Sequence, residues 1–207
     1  MNVHCIPAGP LGTNCYIVRN GTDALIIDPG GDEDHIIQYL TDAGVTPRAI
    51  FLTHAHFDHI GAVSALRFYY DIDVHIHVNE QHWLDDPEKN GSSLFLGRGI
   101  KTEQAEHVLV PGRLQEGSMS FDVIHTPGHS PGSVSFLFHD EQVIISGDVL
   151  FNGGIGRTDL PGGDIQQLER SIRTSLYGLP DSYVVYPGHG PETTIGQEKQ
   201  QNPFFTI

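Results

Sequence analysis

The chain is poor in three things. Cysteine occurs twice in 207 residues, as Cys5 and Cys15 with no CxxC spacing, which is too few for a disulfide framework. Neighbouring strands would let the two face each other, but the expectation is two small buried hydrophobes in a reducing cytoplasm. Cations are scarce as well: 11 Lys and Arg stand against 26 acidic residues, a net charge of -15. Such a surface repels phosphate backbones and anionic lipids, which argues against nucleic-acid and membrane partners. Long apolar runs are missing too. Nothing approaches membrane-spanning length, and MNVHCIPAGP has neither the basic nor the apolar part of a signal peptide, so the cytoplasm is the expected location. No internal repeat is evident, and no serine sits in a convincing triad context.

The composition itself, 38% hydrophobic and 18% charged, fits a soluble globular protein, and no linker-like stretch divides it. A single domain over residues 1–207 is expected. Gly and Pro cut the chain into short pieces. NCYIVR (14–19) and ALIID (24–28) read as a hairpin around Asn20-Gly21. Asp32 is placed to cap a helix with Ile36, Leu40 and Ala43 on one face, and Gly44 to end it. AIFLT (49–53) reads as a buried strand, followed by a helix to about residue 70. DVHIHV (73–78) alternates as a strand with Val74, Ile76 and Val78 inward, and a short helix follows near Glu80–Leu84. Residues 85–106 are polar and irregular apart from LFLGRGI, a surface excursion in the manner of a lid. Strands resume near 107–110, 121–126, 133–138 and 142–147. Asp164 then caps a helix with Ile165, Leu168, Ile172 and Leu176 inward, before a strand at SYVVY (182–186) and a last turn or helix before Pro203. Two packed sheets with outer helices satisfy this pattern, and so does a doubly wound sheet.

The densest chemistry is THAHFDHIGA (53–62), which places His54, His56, Asp58 and His59 within six positions. A polar loop satisfying its own backbone does not require one ligand type at this spacing. Imidazole and carboxylate bind borderline cations such as zinc at about 2.0–2.2 Å. Alternate residues leaving a strand point to one side, so His54 and His56 can share an ion. Asp58 and His59, at the turn into the next helix, are displaced toward a second. Four residues do not complete two sites. Three further loops put His or Asp beside glycine at a strand end: HTPGHSPGS (125–133), SGDVLF (146–151) and YPGHGP (186–191).

In this order THAHFDH, TPGHS, GDVLF and PGHG resemble the metallo-β-lactamase superfamily, and the resemblance runs from IIDPGGD to GHGPETT. It implies an α/β fold, a four-layer αβ/βα sandwich of two mixed sheets with helices on the outer faces. It also implies a two-metal site: His54, His56 and His129 on one ion, Asp58, His59 and His189 on the other, and Asp148 bridging. Asp28 would support the site from behind. The ions would be zinc, with iron or manganese compatible with the same ligands.

Within the superfamily, an aspartate bridge points to the hydrolase branch rather than to a true zinc β-lactamase. The flavodiiron relatives carry a Glu where this chain has His56, and ribonuclease relatives would require RNA-binding features. FNGGIGRTDLPGGD and GHGPETTIGQEKQQNPF are most similar to short bacterial forms of glyoxalase II (hydroxyacylglutathione hydrolase). That likeness implies cleavage of an acyl thioester such as S-lactoylglutathione by a hydroxide bridging the two metals, with Asp58 and Asp148 as catalytic carboxylates. The C-terminal helical domain that holds glutathione in longer forms has no counterpart before Ile207. Arg157 alone matches a glutathione-contacting position. The rival is a persulfide dioxygenase with one iron on His56, His129 and Asp148. A third class, a binding module without catalysis, leaves a complete ligand set unexplained. The remaining histidines, His75 and His77 among them, read as hydrogen-bonded structural residues, and His125 as support or core.

Overall fold

In the computed structural model, residues 1–206 are described, and they form two compact units. The first comprises Met1–Leu109 with Gln115–Ser120. It begins with the antiparallel run β1 (Asn2–Ala8), β2 (Thr13–Asn20) and β3 (Asp23–Ile27). Helix α1 (Glu33–Ala43) then crosses to β4 (Thr46–Phe51), parallel to β3. Helices α2 (Phe57–Ile60) and α3 (Val63–Tyr70) cross to β5 (Asp73–His77), parallel to β4. A 3-10 turn (Val78–Trp83) and α4 (Ser92–Leu96) lead to β6 (His107–Leu109), parallel to β5. The six strands lie in the order β1-β2-β3-β4-β5-β6. Ile17, Ile26, Ile50 and Val74 from the sheet pack in one core with Ile36 and Leu40 of α1 and Val63 and Leu66 of α3. Each such side chain contributes about 2 kcal/mol by leaving water.

The second unit comprises Val110–Leu114 and the chain from Phe121 onward. It takes in β7 (Gly112–Glu116) as far as Leu114, β8 (Met119–His125) from Phe121, β9 (Val134–Phe138) and β10 (Val143–Gly147), followed by a small hairpin of β11 (Leu150–Phe151) and β12 (Gly154–Ile155). Helix α5 (Ile165–Ser171) runs on into a wider π-turn (Ile172–Leu176). Strands β13 (Val184–Pro187) and β14 (Thr193–Thr194) and helix α6 (Ile195–Gln201) close the unit. The large sheet has the order β14-β13-β10-β9-β8-β7, with β10 and β13 parallel. Leu168, Ile172 and Leu176 pack with Ile144, Val185 and Ile195. Buried Glu198 of α6 accepts hydrogen bonds from Thr193 Oγ1, Gly153 N–H and Asn202 Nδ2, tying the β11–β12 hairpin to the end of the chain.

Several local expectations shift. Asn20 pairs with Asp23, so Gly21 and Thr22 form the turn, one residue later than read. Asp32 does precede α1, but its carboxylate accepts from Gly9 N–H rather than from the helix. Ile6, not Cys5, lies opposite Cys15; Cys5 is exposed on the other face, so only Cys15 behaves as a buried hydrophobe. Val78 and Ile165 are exposed, because the strand and the helix reach solvent at those residues. The 85–106 excursion contains α4 and is fastened at its base by buried Asn90. No helix of the described residues is long and apolar enough to cross a membrane.

His75 and His77 are buried. His75 stacks on Phe51 at 4.3 Å between ring centroids and lies 4.6 Å from the His107 ring. His77 Nδ1 caps the 3-10 turn by accepting from Asn79 N–H. Burial, and then the neighbouring His107, push His75 down to about 4. Its neutral form is thus the native one. The unfolded chain takes up this proton near pH 6.5, so the contribution is complete above that pH and is lost as pH falls toward 4. His75→Phe is expected to flatten the acid limb of urea-measured stability by up to one proton between those values. An unchanged slope would assign the limb to other groups.

Candidate metal centre

In the first unit the histidine segment leaves the C-terminal end of β4, and Asp28 leaves that of its parallel neighbour β3. Two parallel strands ending together open a crevice where side chains converge. Asp28 sits at φ 52, in the left-handed region that Asp tolerates at some cost. Its Oδ1 accepts Thr53 N–H at 2.8 Å, and its Oδ2 accepts the Thr53 hydroxyl at 2.6 Å and His59 Nδ1 at 3.0 Å. Since the Thr53 proton goes to the carboxylate, Thr53 Oγ1 accepts from His54 Nδ1–H at 3.0 Å. Both rings therefore carry the proton on Nδ1 and present Nε2 as the lone-pair nitrogen. The His54 ring lies 4.8 Å from that of His56 and 4.1 Å from that of His59, centroid to centroid. Asp58, in α2, takes the Thr13 hydroxyl on Oδ2 at 2.8 Å, and the same oxygen lies 3.6 Å from His59 Nε2.

The second unit repeats the device. Asp148 follows β10, and His189 follows its parallel neighbour β13, with Gly188 N–H bonded to Gly147 O at 2.8 Å. His129 stands on the loop between β8 and β9. Its Nδ1 donates to Arg157 O at 2.8 Å, which again leaves Nε2 as the lone-pair nitrogen. Asp148 Oδ2 is 3.6 Å from Nε2 of His129 and 3.6 Å from Nε2 of His189. Two glycines make this approach possible. A Cβ on Gly156 would collide with the Asp148 carbonyl and crowd His129, and one on Gly128, at φ 135, would collide with the Leu168 backbone.

These donors fit divalent metal. Nε2 of His54, His56 and His59 and Oδ1 of Asp148 are buried atoms that make no hydrogen bond among the described residues. Imidazole nitrogen with carboxylate oxygen suits zinc, iron and manganese alike. The 3.6 Å separations are too long for hydrogen bonds. They match two donors on a common ion, which at about 2.1 Å and near-tetrahedral angles stand about 3.4 Å apart. Asp28, His54 and His59 also lie close enough to share an ion, but both Asp28 oxygens already accept hydrogen bonds, from Thr53 and His59.

The Arg157 side chain forms a forked pair with Asp159, at 2.7 Å on both contacts. That hydrogen-bonded guanidinium holds the Asp159 carboxyl down to about 2. What Arg157 gives His129 is its backbone carbonyl. His125 Nε2 bonds to Pro131 O at 3.0 Å and braces the same loop. Three supports have no advance signal in the sequence. Thr13 and Thr53 are ordinary strand-end residues. Glu80 is fully buried and accepts Ala55 N–H at 2.6 Å, between two candidate ligands, although a glutamate in a short helical turn is normally solvated.

The model of the metallo-beta-lactamase superfamily matches residues 8–189. Probable metallo-hydrolase YqgX of Bacillus subtilis is 48% identical over 96% of this chain and 95% of its own length. Hydroxyacylglutathione hydrolase GloC of Haemophilus influenzae is 37% identical over 99% of this chain and 98% of its own. Among solved structures, BLEG-1 B3 metallo-beta-lactamase aligns at TM-score 0.96 and 51% identity, covering 98% of this chain and 99% of that one. TTHA1623 in a di-iron-bound form aligns at 0.89 and 38%, covering 98% and 100%. ETHE1 from Myxococcus xanthus aligns at 0.79 and 30%, covering 98% and 84%.

Removing a carboxylate that orients ligand histidines lowers metal affinity about 10–100-fold in comparable sites. Asp28→Ala is expected to do so here, measured by competition with a chromophoric chelator. Glu80→Ala, which leaves the Ala55 N–H without its acceptor, is expected to follow it. Wild-type affinity in both variants would show that the histidines hold their orientation without these carboxylates.

Proposed function

The chain belongs to the metallo-beta-lactamase superfamily, and from that membership we propose that it is a binuclear metallohydrolase acting on acyl thioesters, of which S-lactoylglutathione is the type. His54, His56 and His129 would hold one ion, and Asp58, His59 and His189 the other. Asp148 would be shared between them. The observation that carries the binuclear reading is Asp148 itself. One carboxylate oxygen serves two histidines at equal distance, as a carboxylate bridging two ions would. The thioester comes from the likeness to GloC over nearly the whole length of both chains.

When bound, two such ions lower the pKa of a water toward neutrality and polarise a carbonyl oxygen. The chain's own residues do the rest. Asp58, oriented by the Thr13 hydroxyl, is suited to accept the water's proton. Asp148 fixes the spacing of the two donor sets. His54, His59 and His129, each hydrogen-bonded through Nδ1, keep Nε2 available. Zinc and iron both satisfy these donors, and the di-iron form of TTHA1623 supports iron as a real alternative to zinc.

Two rival readings have support of their own. The likeness to BLEG-1 supports a β-lactam as the acyl substrate, opened by the same chemistry. The likeness to ETHE1 supports the mononuclear oxygenase on His56, His129 and Asp148, which leaves Asp58, His59 and His189 without a task.

Metal-loaded protein is expected to consume S-lactoylglutathione, followed by loss of thioester absorbance. Asp148→Ala is expected to reduce kcat/KM by about 10³-fold or more, the scale of losing an essential electrostatic group, and to lower metal content. Faster turnover of the β-lactam nitrocefin, or oxygen uptake with glutathione persulfide in place of thioester loss, would transfer the assignment to the corresponding rival.

A further inference from the structure

The thioester reading assigns residues to the ions but none to the thiol carrier, and it gives segment 85–106 no task. Charge marks this segment out. Residues 87–102 carry Lys89, Arg98 and Lys101 against one acid, Glu88, in a chain of net charge -15. Its base is rigid. Asn90 Nδ2 donates to Trp83 O and Ile100 O, Asn90 Oδ1 accepts Ser92 N–H, and Ser92 Oγ accepts Ile100 N–H. The same base meets the histidine segment, because Phe57 N–H, at the start of α2, donates to Asn90 O at 2.9 Å.

Above this base lies a cleft of about 400 Å³, to which the segment contributes Leu96, Arg98 and Ile100. The chain around Gly9, Gly30 and Gly61 contributes the remainder, with Asp32. These glycines are bare backbone in close contact. A Cβ on Gly61 would collide with Gly30 O, and one on Gly30 with Asp58 O. The cleft wall at Gly30 therefore lies against the main chain of Asp58, next in sequence to His59. Two charged side chains line it, of opposite sign. Asp32 is anchored through Oδ2 to Gly9 N–H at 2.8 Å. Arg98 is exposed and makes no hydrogen bond or ion pair among the described residues, whereas Arg48, Arg67, Arg157 and Arg173 are each paired with a carboxylate.

We propose that this cleft holds the carrier half of the substrate, a low-molecular-weight thiol ending in an α-amino acid, with its carboxylate on the Arg98 guanidinium and its ammonium toward Asp32. The assignment rests on the thioester reading above. A guanidinium–carboxylate contact is stronger than a neutral hydrogen bond, and the surrounding acidic surface leaves Arg98 as the cation this cleft offers.

The test uses metal-loaded full-length protein and two probes, S-lactoylglutathione for kinetics and the unreactive thioether S-methylglutathione for calorimetric binding. Arg98→Ala is expected to raise KM and to weaken S-methylglutathione binding about tenfold, the loss of one charged hydrogen bond. Its kcat should stay within about twofold. Arg98→Lys should recover part of the affinity, and an exposed side chain leaves folding intact, checked by thermal melting. Binding that depends on Arg98 without thioester hydrolysis would keep the cleft and defeat the reaction. Hydrolysis with KM and affinity indifferent to Arg98→Ala, or no S-methylglutathione binding by the wild type, would overturn the cleft.

Discussion

The Asp28 carboxylate is the constraint on which the first half of the centre depends. It is buried, and a buried carboxylate is tolerated only when its oxygens are satisfied. Asp28 meets that condition with Thr53 N–H, the Thr53 hydroxyl and His59 Nδ1. Those three bonds fix the course of the chain after β4 and the tautomer of His59. Through the shared hydroxyl they fix the tautomer of His54 as well. The left-handed backbone at Asp28 is strain retained where it aims a functional group.

The second unit reaches the same result with a carbonyl in place of a carboxylate. Arg157 O fixes His129, and the parallel pair β10–β13 delivers Asp148 and His189 side by side. Parallel strands end with their carbonyl ends together, so residues just beyond them converge without long loops. The Glu198 network gives this arrangement rigidity at a distance. By holding Gly153 and Thr193 it anchors the hairpin that precedes Gly156 and Arg157.

Much of this was readable in the sequence, and the rest was not, for physical reasons. The inner strands β3, β4, β9 and β10 are apolar runs, and their positions follow from pattern alone. Strands β1 and β7 escaped notice because each lies at a sheet edge and is largely exposed, and β1 contains Pro7. Helix α4, only five residues long, shows no helical period. The histidine segment announced itself by density. Asp28 was recognisable through family likeness, whereas Glu80 and Thr13 act through single long-range hydrogen bonds that no local pattern encodes. The role of Asp32 could not be read for the same reason, since its partner Gly9 is 23 residues away.

The proposed binuclear centre requires this chain's histidines and carboxylates to hold two metal ions and not one. Elemental analysis of protein purified with its native metals, normalised to quantitative amino-acid analysis, tests it most directly. A binuclear centre gives about two divalent ions per chain, held through Nε2 at distances of about 2.1 Å by X-ray absorption. A single ion per chain in active protein, unchanged when Asp58 and His59 are replaced, would contradict it.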